Sequence, residues 1–308
     1  MSTTWPLVHG LSPSHWRWPA DQSVLLLLDG VRVSGLARKL YEWSDGAMDA
    51  ELLYAGTPWA TVQEVSPWLI ALPHLHDPII AMFLEEGAGD EGGYLIVSDA
   101  SLVEVADHLR QLIQVRHPMD IPMLLRLADP AVIHALLPEE PSMGLAPWGP
   151  ITQIVVPDAV VGVWRAWSPD TEVAQVCSPI EPPGYRLNEA QLQRLQACDR
   201  RADIRQLASF VETHCAGWLS DLTPQARHAH LSALVTQGRS WGFTSLREWS
   251  LLCTVLARLD IPSLDDARLS ERTRHLLAAV GTGTGLERLE AALTNMNDIT
   301  NNTSRSLS

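Results

Sequence analysis

The sequence predicts a mixed α/β sheet lobe followed by an all-helical lobe, and three observations point there. Over roughly residues 20–170, short apolar runs closed by turn signals alternate with stretches of helical period. A proline-rich stretch, SPIEPPGY at 178–185, then interrupts the chain. Beyond it no strand pattern appears, only apolar residues at spacings of three and four. A length of 308 residues suits two domains, and 46% hydrophobic with 19% charged residues suits a globular protein.

SVLLLLDG (23–30) reads as a buried strand ended by an Asp-Gly turn. VSGLARKLYEW gives a short helix, with Leu36, Leu40 and Trp43 on one face. ELLYAGTP and SPWLIALP are short strands, each closed by proline. In DPIIAMFLEEGAG, Asp77 caps a helix, Pro78 fills its first position where a missing N–H is harmless, and Gly87 ends it. YLIVS is a strand leading into SLVEVADHLRQLI, where Leu102, Val105, Ala106, Leu109, Leu112 and Ile113 form an apolar stripe behind a Ser101/Glu104 capping box. MLLRLAD reads as a strand containing Arg126, Asp129-Pro130 as a second helix start, and ITQIVVPD and VVGVWRAW as the last strands.

In the helical lobe, Asn188–Leu219 reads as one long or broken helix. Thr223-Pro224 opens the next helix and Gly238 closes it. Ser245 and Glu248 form a capping box before LLCTVLARL, and helical stretches follow at 266–280 and 286–296. The expected organisation is a Trp- and Pro-rich leader (1–22), an α/β domain (23–175), a Pro-rich linker (176–187), a helical lobe (188–296) and a tail (297–308) too poor in core residues to be ordered.

Composition excludes several functions. The net charge is −14, and Lys39 is the one lysine among 22 basic residues. Such a surface repels nucleic acid and anionic lipid, whose binding needs clustered Lys and Arg. The longest aliphatic run, Val24–Leu28, is too short to span a bilayer. The first positive charge is Arg17 with no apolar segment before it, which argues against a secretory signal. Four widely spaced cysteines without a CxxC pair read as free thiols of a reducing compartment.

The search for chemistry finds no strong catalytic motif. His74-Leu75-His76-Asp77 has a zinc-type HxH step but no supporting ligands downstream, and Asp77 is already explained as a cap. GTGTG (281–285) follows a helix and lacks a P-loop lysine, so it reads as a helix–helix joint in which Thr284 and Glu287 cap the next helix. No G-x-S-x-G elbow is present. Asp129 reads as an N-cap. Arg126, a charge in an apolar run, needs a partner or an exposed face, and Asp29 and Asp129 are the candidate partners. Tryptophan is over-used, with 12 residues; Trp5, Trp16 and Trp18 in the leader either form a docking surface or fold back on their own domain.

The order LLDG (27–30), LLYAGTP (52–58), SPWLIAL (66–72), YLIVSDASLVEVADHLRQLIQVRHP, LLRLADPAVIHALLP and PWGPI (147–151) resembles the DUF-type adaptor domain of type VI secretion effector chaperones, the VasW-like and Tap/Tec proteins. The likeness covers about residues 23–156 and is less specific over the helical half. Two departures stand out: Ala128 where the family tends to an aromatic before Asp-Pro, and HPMDIP where it tends to an Asp-Gly turn. The resemblance implies a cytoplasmic, non-enzymatic, cofactor-free adaptor that binds a cognate toxic effector and helps load it onto a VgrG spike or PAAR tip. Trp16, Trp18, Arg126 and Trp148 are the expected partner-binding residues, at the leader and in a cleft between the lobes. The alternatives are a metal-dependent hydrolase using His74 and His76, and a structural baseplate subunit.

Overall fold

The computed structural model describes residues 2–137, 148–169, 185–278 and 283–306, with side chains described as far as Met296. They form two compact units, 1–198 and 199–308.

In the first unit, strands β1 (Ser2–Pro6), β2 (Ser23–Leu28), β3 (Ala50–Leu52), β4 (Trp68–Leu72), β5 (Gly93–Ser98), β8 (Ile151–Asp158) and β9 (Val163–Trp167) build one sheet in the order β1-β9-β8-β5-β2-β4-β3. Every pairing in it is antiparallel. Central β2 shows why its sequence is apolar throughout. Leu25 and Leu27 face one core, and Val24, Leu26 and Leu28 face another on the opposite side. The first core is closed by helices α3 (Leu102–Ile113) and α4 (Pro130–Leu136), the second by α1 (Leu36–Trp43), α2 (Pro78–Met82) and the leader. Gly93 is required where β5 meets β2, because a Cβ there would lie 2.1 Å from the Leu27 carbonyl oxygen.

The expected helix starts hold. Asp77 accepts from the Ile79 N–H and Asp129 from the Ala131 N–H, each with proline at the first turn, and Ser101 forms its capping box with Glu104.

Two expectations need correction, and a third lies mostly outside the described residues. The leader is not a separate segment: β1 pairs with β9, setting Trp5 opposite Trp164, and Trp5 and Trp16 lie in the core. The stretch MLLRLAD is not a sheet strand. Only Pro122–Leu124 is extended, as β7, pairing with β6 (Gln114–Arg116) in a separate hairpin, and Arg126 lies in the turn that follows. Residues 170–184, most of the expected linker, lie outside the described residues. Its last residues are docked, with the Arg116 N–H donating to the Tyr185 carbonyl and Leu187 buried.

The second unit is helical, as predicted. Helix α5 (Glu189–His214) begins in the first unit and continues into the second; α6 (Pro224–Ser240), α7 (Leu246–Leu259), α8 (Glu271–Ala278) and α9 (Gly285–Ser306) follow. The Ser245/Glu248 box caps α7, and Thr284 and Glu287 exchange the corresponding hydrogen bonds at the start of α9. Helix α9 runs on to Ser306, so the backbone from 297 to 306, expected to be unstructured, is helical. The tryptophans of this unit serve its packing: the indole N–H of Trp218 donates to the Ile261 carbonyl and that of Trp249 to the Phe243 carbonyl.

Candidate functional site

At the end of β2 the chain turns through Asp29-Gly30. A Cβ on Gly30 would lie 2.3 Å from the Ser66 carbonyl oxygen, so only glycine lets the turn settle there. Asp29 is 3% exposed. One of its oxygens accepts from the backbone N–H groups of Val31 (2.8 Å) and Arg32 (3.3 Å), and the other accepts from the Arg126 guanidinium at 2.7 Å. Asp129, at the cap of α4, is equally buried and receives Arg32 at 3.0 and 3.2 Å and Arg126 at 3.5 Å. Two arginines and two aspartates thus form one linked, charge-balanced network. It ties the end of β2, the following turn, the Arg126 turn and the start of α4 together.

The surroundings are apolar and the electrostatics follow. Burial opposes the charged form of Arg126, but the Asp29 and Asp129 charges and the hydrogen bond to Asp29 outweigh it and raise its pKa. Burial and then the Asp29 charge push the Tyr54 phenol up, against a lowering effect of Arg126. Tyr94 is raised further, by complete burial and then by Asp129, and its hydroxyl donates to the Leu127 carbonyl. These phenols stay protonated. The charges are paired with one another, although the Arg32 Nε–H is buried without a hydrogen-bond partner among the described residues, and the network is built to hold geometry. Its outward part is Arg126, whose side chain is 41% exposed.

Sequence reasoning named both partners of Arg126 but missed Arg32. The Asp-Gly turn signals only the Arg32 backbone N–H on Asp29; the Arg32 guanidinium reaches Asp129, 97 residues away, which no local pattern announces.

The tryptophan candidates lie at the other end of the sheet. β2 runs from Ser23 at that end to Leu28 beside the network, a span of about 17 Å at 3.3–3.4 Å per residue. Trp16 is 6% exposed and its indole donates to Gln153 Oε1 at 2.6 Å, so it serves the core rather than the surface. It packs edge-on against half-buried Trp18, at 5.8 Å between ring centroids. Trp18 lines a solvent-open groove of about 750 Å³. Half-buried Trp148 lines a second groove of about 610 Å³ beside Asp99 and Glu104. The sheet therefore separates Arg126 from the tryptophans.

His74 lines the first groove, and Asp77 spends one carboxylate oxygen on the Ile79 N–H at 2.8 Å. Among the described residues no group of three or more His, Cys, Asp and Glu side chains is placed to hold a metal ion. Cys198, Cys215 and Cys253 are free thiols; burial raises the pKa of Cys215 and, more strongly, that of Cys253. Within the described residues no helix is long and apolar enough to cross a membrane.

Residues 24–143 match the model of a domain of unknown function, DUF4123. The chain is 29% identical over 287 residues to the accessory protein VasW of Vibrio cholerae serotype O1, a match covering 88% of this chain and 87% of that protein. No solved structure matches the chain significantly. The domain match ends soon after α4 and so covers the sheet, apart from its β8, β9 and β1 strands, together with the Arg–Asp network, while the relative matches most of the chain. The first unit thus carries a stretch similar to DUF4123, and most of the chain is similar to the accessory protein VasW.

Proposed function

We propose that this chain is a non-enzymatic cytoplasmic adaptor that binds a cognate type VI secretion effector and helps load it onto the VgrG spike or its PAAR tip. The observation that carries this reading is the likeness to an accessory protein over 88% of the chain, with DUF4123 inside it. The geometry of the first unit is compatible with it. The buried charges are paired with one another and hold a scaffold, and no nucleophile–base pair is assembled in the network. Arg126, Trp18 and Trp148 are the partner contacts in this reading, and Trp16 supports Trp18 from the core. Handover of the effector requires that the adaptor bind the unloaded effector more tightly than the spike-engaged one, since only differential affinity moves such an equilibrium.

Affinity purification of the tagged chain from cells with an active type VI system, followed by mass spectrometry, tests the proposal. Recovery of one large toxin together with a VgrG or PAAR protein is the expected result. Folded bait that recovers neither overturns it.

A further inference from the structure

We infer that the groove beside Trp18 is a docking site for an extended segment of the partner that presents an arginine or lysine next to an apolar residue. The inference rests on the adaptor reading only for the source of that segment. The groove lies at the Ser23 end of the sheet, between the leader and the chain entering β3. Its accessible apolar lining is Trp18, Met48, Ala71 and Pro73, over buried Leu72 and Ile79, and its charged lining consists of Asp49 and Asp77, with His74 beside them. No lysine or arginine lines it. Asp49 is exposed and its carboxylate makes no ion pair or hydrogen bond among the described residues, while Asp77 commits one oxygen to its helix cap.

Charge decides the class of occupant. Residues 199–308 carry twelve acidic and twelve basic residues, so the whole net charge of −14 belongs to residues 1–198, the unit that holds the groove. An acidic or phosphorylated segment is repelled there, and a nucleic acid more so. An arginine fits both halves of the lining. Its methylenes and planar guanidinium lie on the half-buried Trp18 ring, and its charge meets the carboxylates. An apolar neighbour then lies against Met48 and Pro73.

The test uses the purified full chain and two fluorescently labelled six-residue peptides, one alternating arginine with leucine and one alternating glutamate with leucine. Binding is read by anisotropy at two salt concentrations. The expected result is binding of the arginine peptide alone, weakened by salt and about tenfold weaker to Asp49→Asn/Asp77→Asn, from the loss of two exposed charge pairs. Asparagine is itself a good N-cap, so Asp77→Asn keeps the helix start, and unchanged thermal melting verifies folding. Trp18→Ala weakens binding without changing its salt dependence. A charge-matched control, Glu64→Gln/Glu85→Gln, removes two exposed carboxylates that do not line the groove and leaves binding within about twofold.

No binding of the arginine peptide overturns the inference. So does an equal loss in the control, which would mean diffuse attraction, or competition by free arginine amide as strong as by the peptide, which would mean a small-cation site. None of these results bears on whether the chain captures an effector in cells, so the two proposals fail separately.

Discussion

Asp29→Ala and Arg126→Ala cut the same ion pair from opposite sides, and the structure makes the two losses unequal. Asp29 is 3% exposed and accepts from Arg126 at 2.7 Å, Val31 N–H at 2.8 Å and Arg32 N–H at 3.3 Å. Its removal orphans two backbone donors at a part-buried turn and leaves Arg126 with only the 3.5 Å contact to Asp129. All three donors bond the charged carboxylate; at about 1 kcal/mol for each of these part-buried bonds, the expected loss is about 3 kcal/mol. Arg126→Ala leaves Asp29 with both backbone donors. Because the Arg126 side chain is 41% exposed, solvent screening reduces its contribution, and the expected loss is about 1–2 kcal/mol. The double variant shows a coupling of about 1 kcal/mol. Urea unfolding followed by tryptophan emission measures this, since nine of the twelve tryptophans lie in residues 1–198. A coupling below about 0.3 kcal/mol, or an Arg126→Ala loss exceeding that of Asp29→Ala, refutes the reading of the network as scaffold.

Other parts of the fold give further tests. Trp164, fully buried between Trp5 and Phe83, leaves a large void as alanine; Trp164→Ala costs about 3–5 kcal/mol and releases β1, detectable as faster amide exchange at Thr3 and Thr4. Gly93→Ala drives a Cβ into the Leu27 carbonyl, so a sharply lower melting temperature or insoluble expression is expected, and near-native melting would disprove the close approach. Glu248 is partly desolvated, which raises its pKa, but hydrogen bonds from the Thr244 and Ser245 N–H groups and the Ser245 hydroxyl outweigh this and hold it below its ordinary 4.5. A lowered folded-state pKa contributes stability that is complete above that value and fades as pH falls through the folded one. The margin of the wild type over Glu248→Gln in urea unfolding therefore shrinks on acidification below pH 4.5, and a margin independent of pH would refute the assignment.

What the sequence by itself determined was local. Period, capping residues and proline placed α3, α4, α6 and α7 and the strands β2, β4, β5, β8 and β9, because those signals act within a few residues of chain. Continuous hydrophobicity in Val24–Leu28 announced a strand buried on both faces, and the structure supplies a core on each side. The short β1 strand was not legible, since only Trp5 of its five residues is buried, too little for an alternation to show.

What only the tertiary structure decided was which residues meet. Arg126 was expected inside a sheet strand, but the hairpin ends at Leu124 and the arginine turns towards Asp29, 97 residues away in the chain. Arg32 reaches Asp129 across an equal separation. The leader tryptophans were ambiguous as a sequence: burial placed Trp5 and Trp16 in the core and left Trp18 at a groove, 29 residues or more from the loops that complete it. Pairings of this kind depend on how the sheet brings distant ends together, and no residue carries that information in its immediate neighbours.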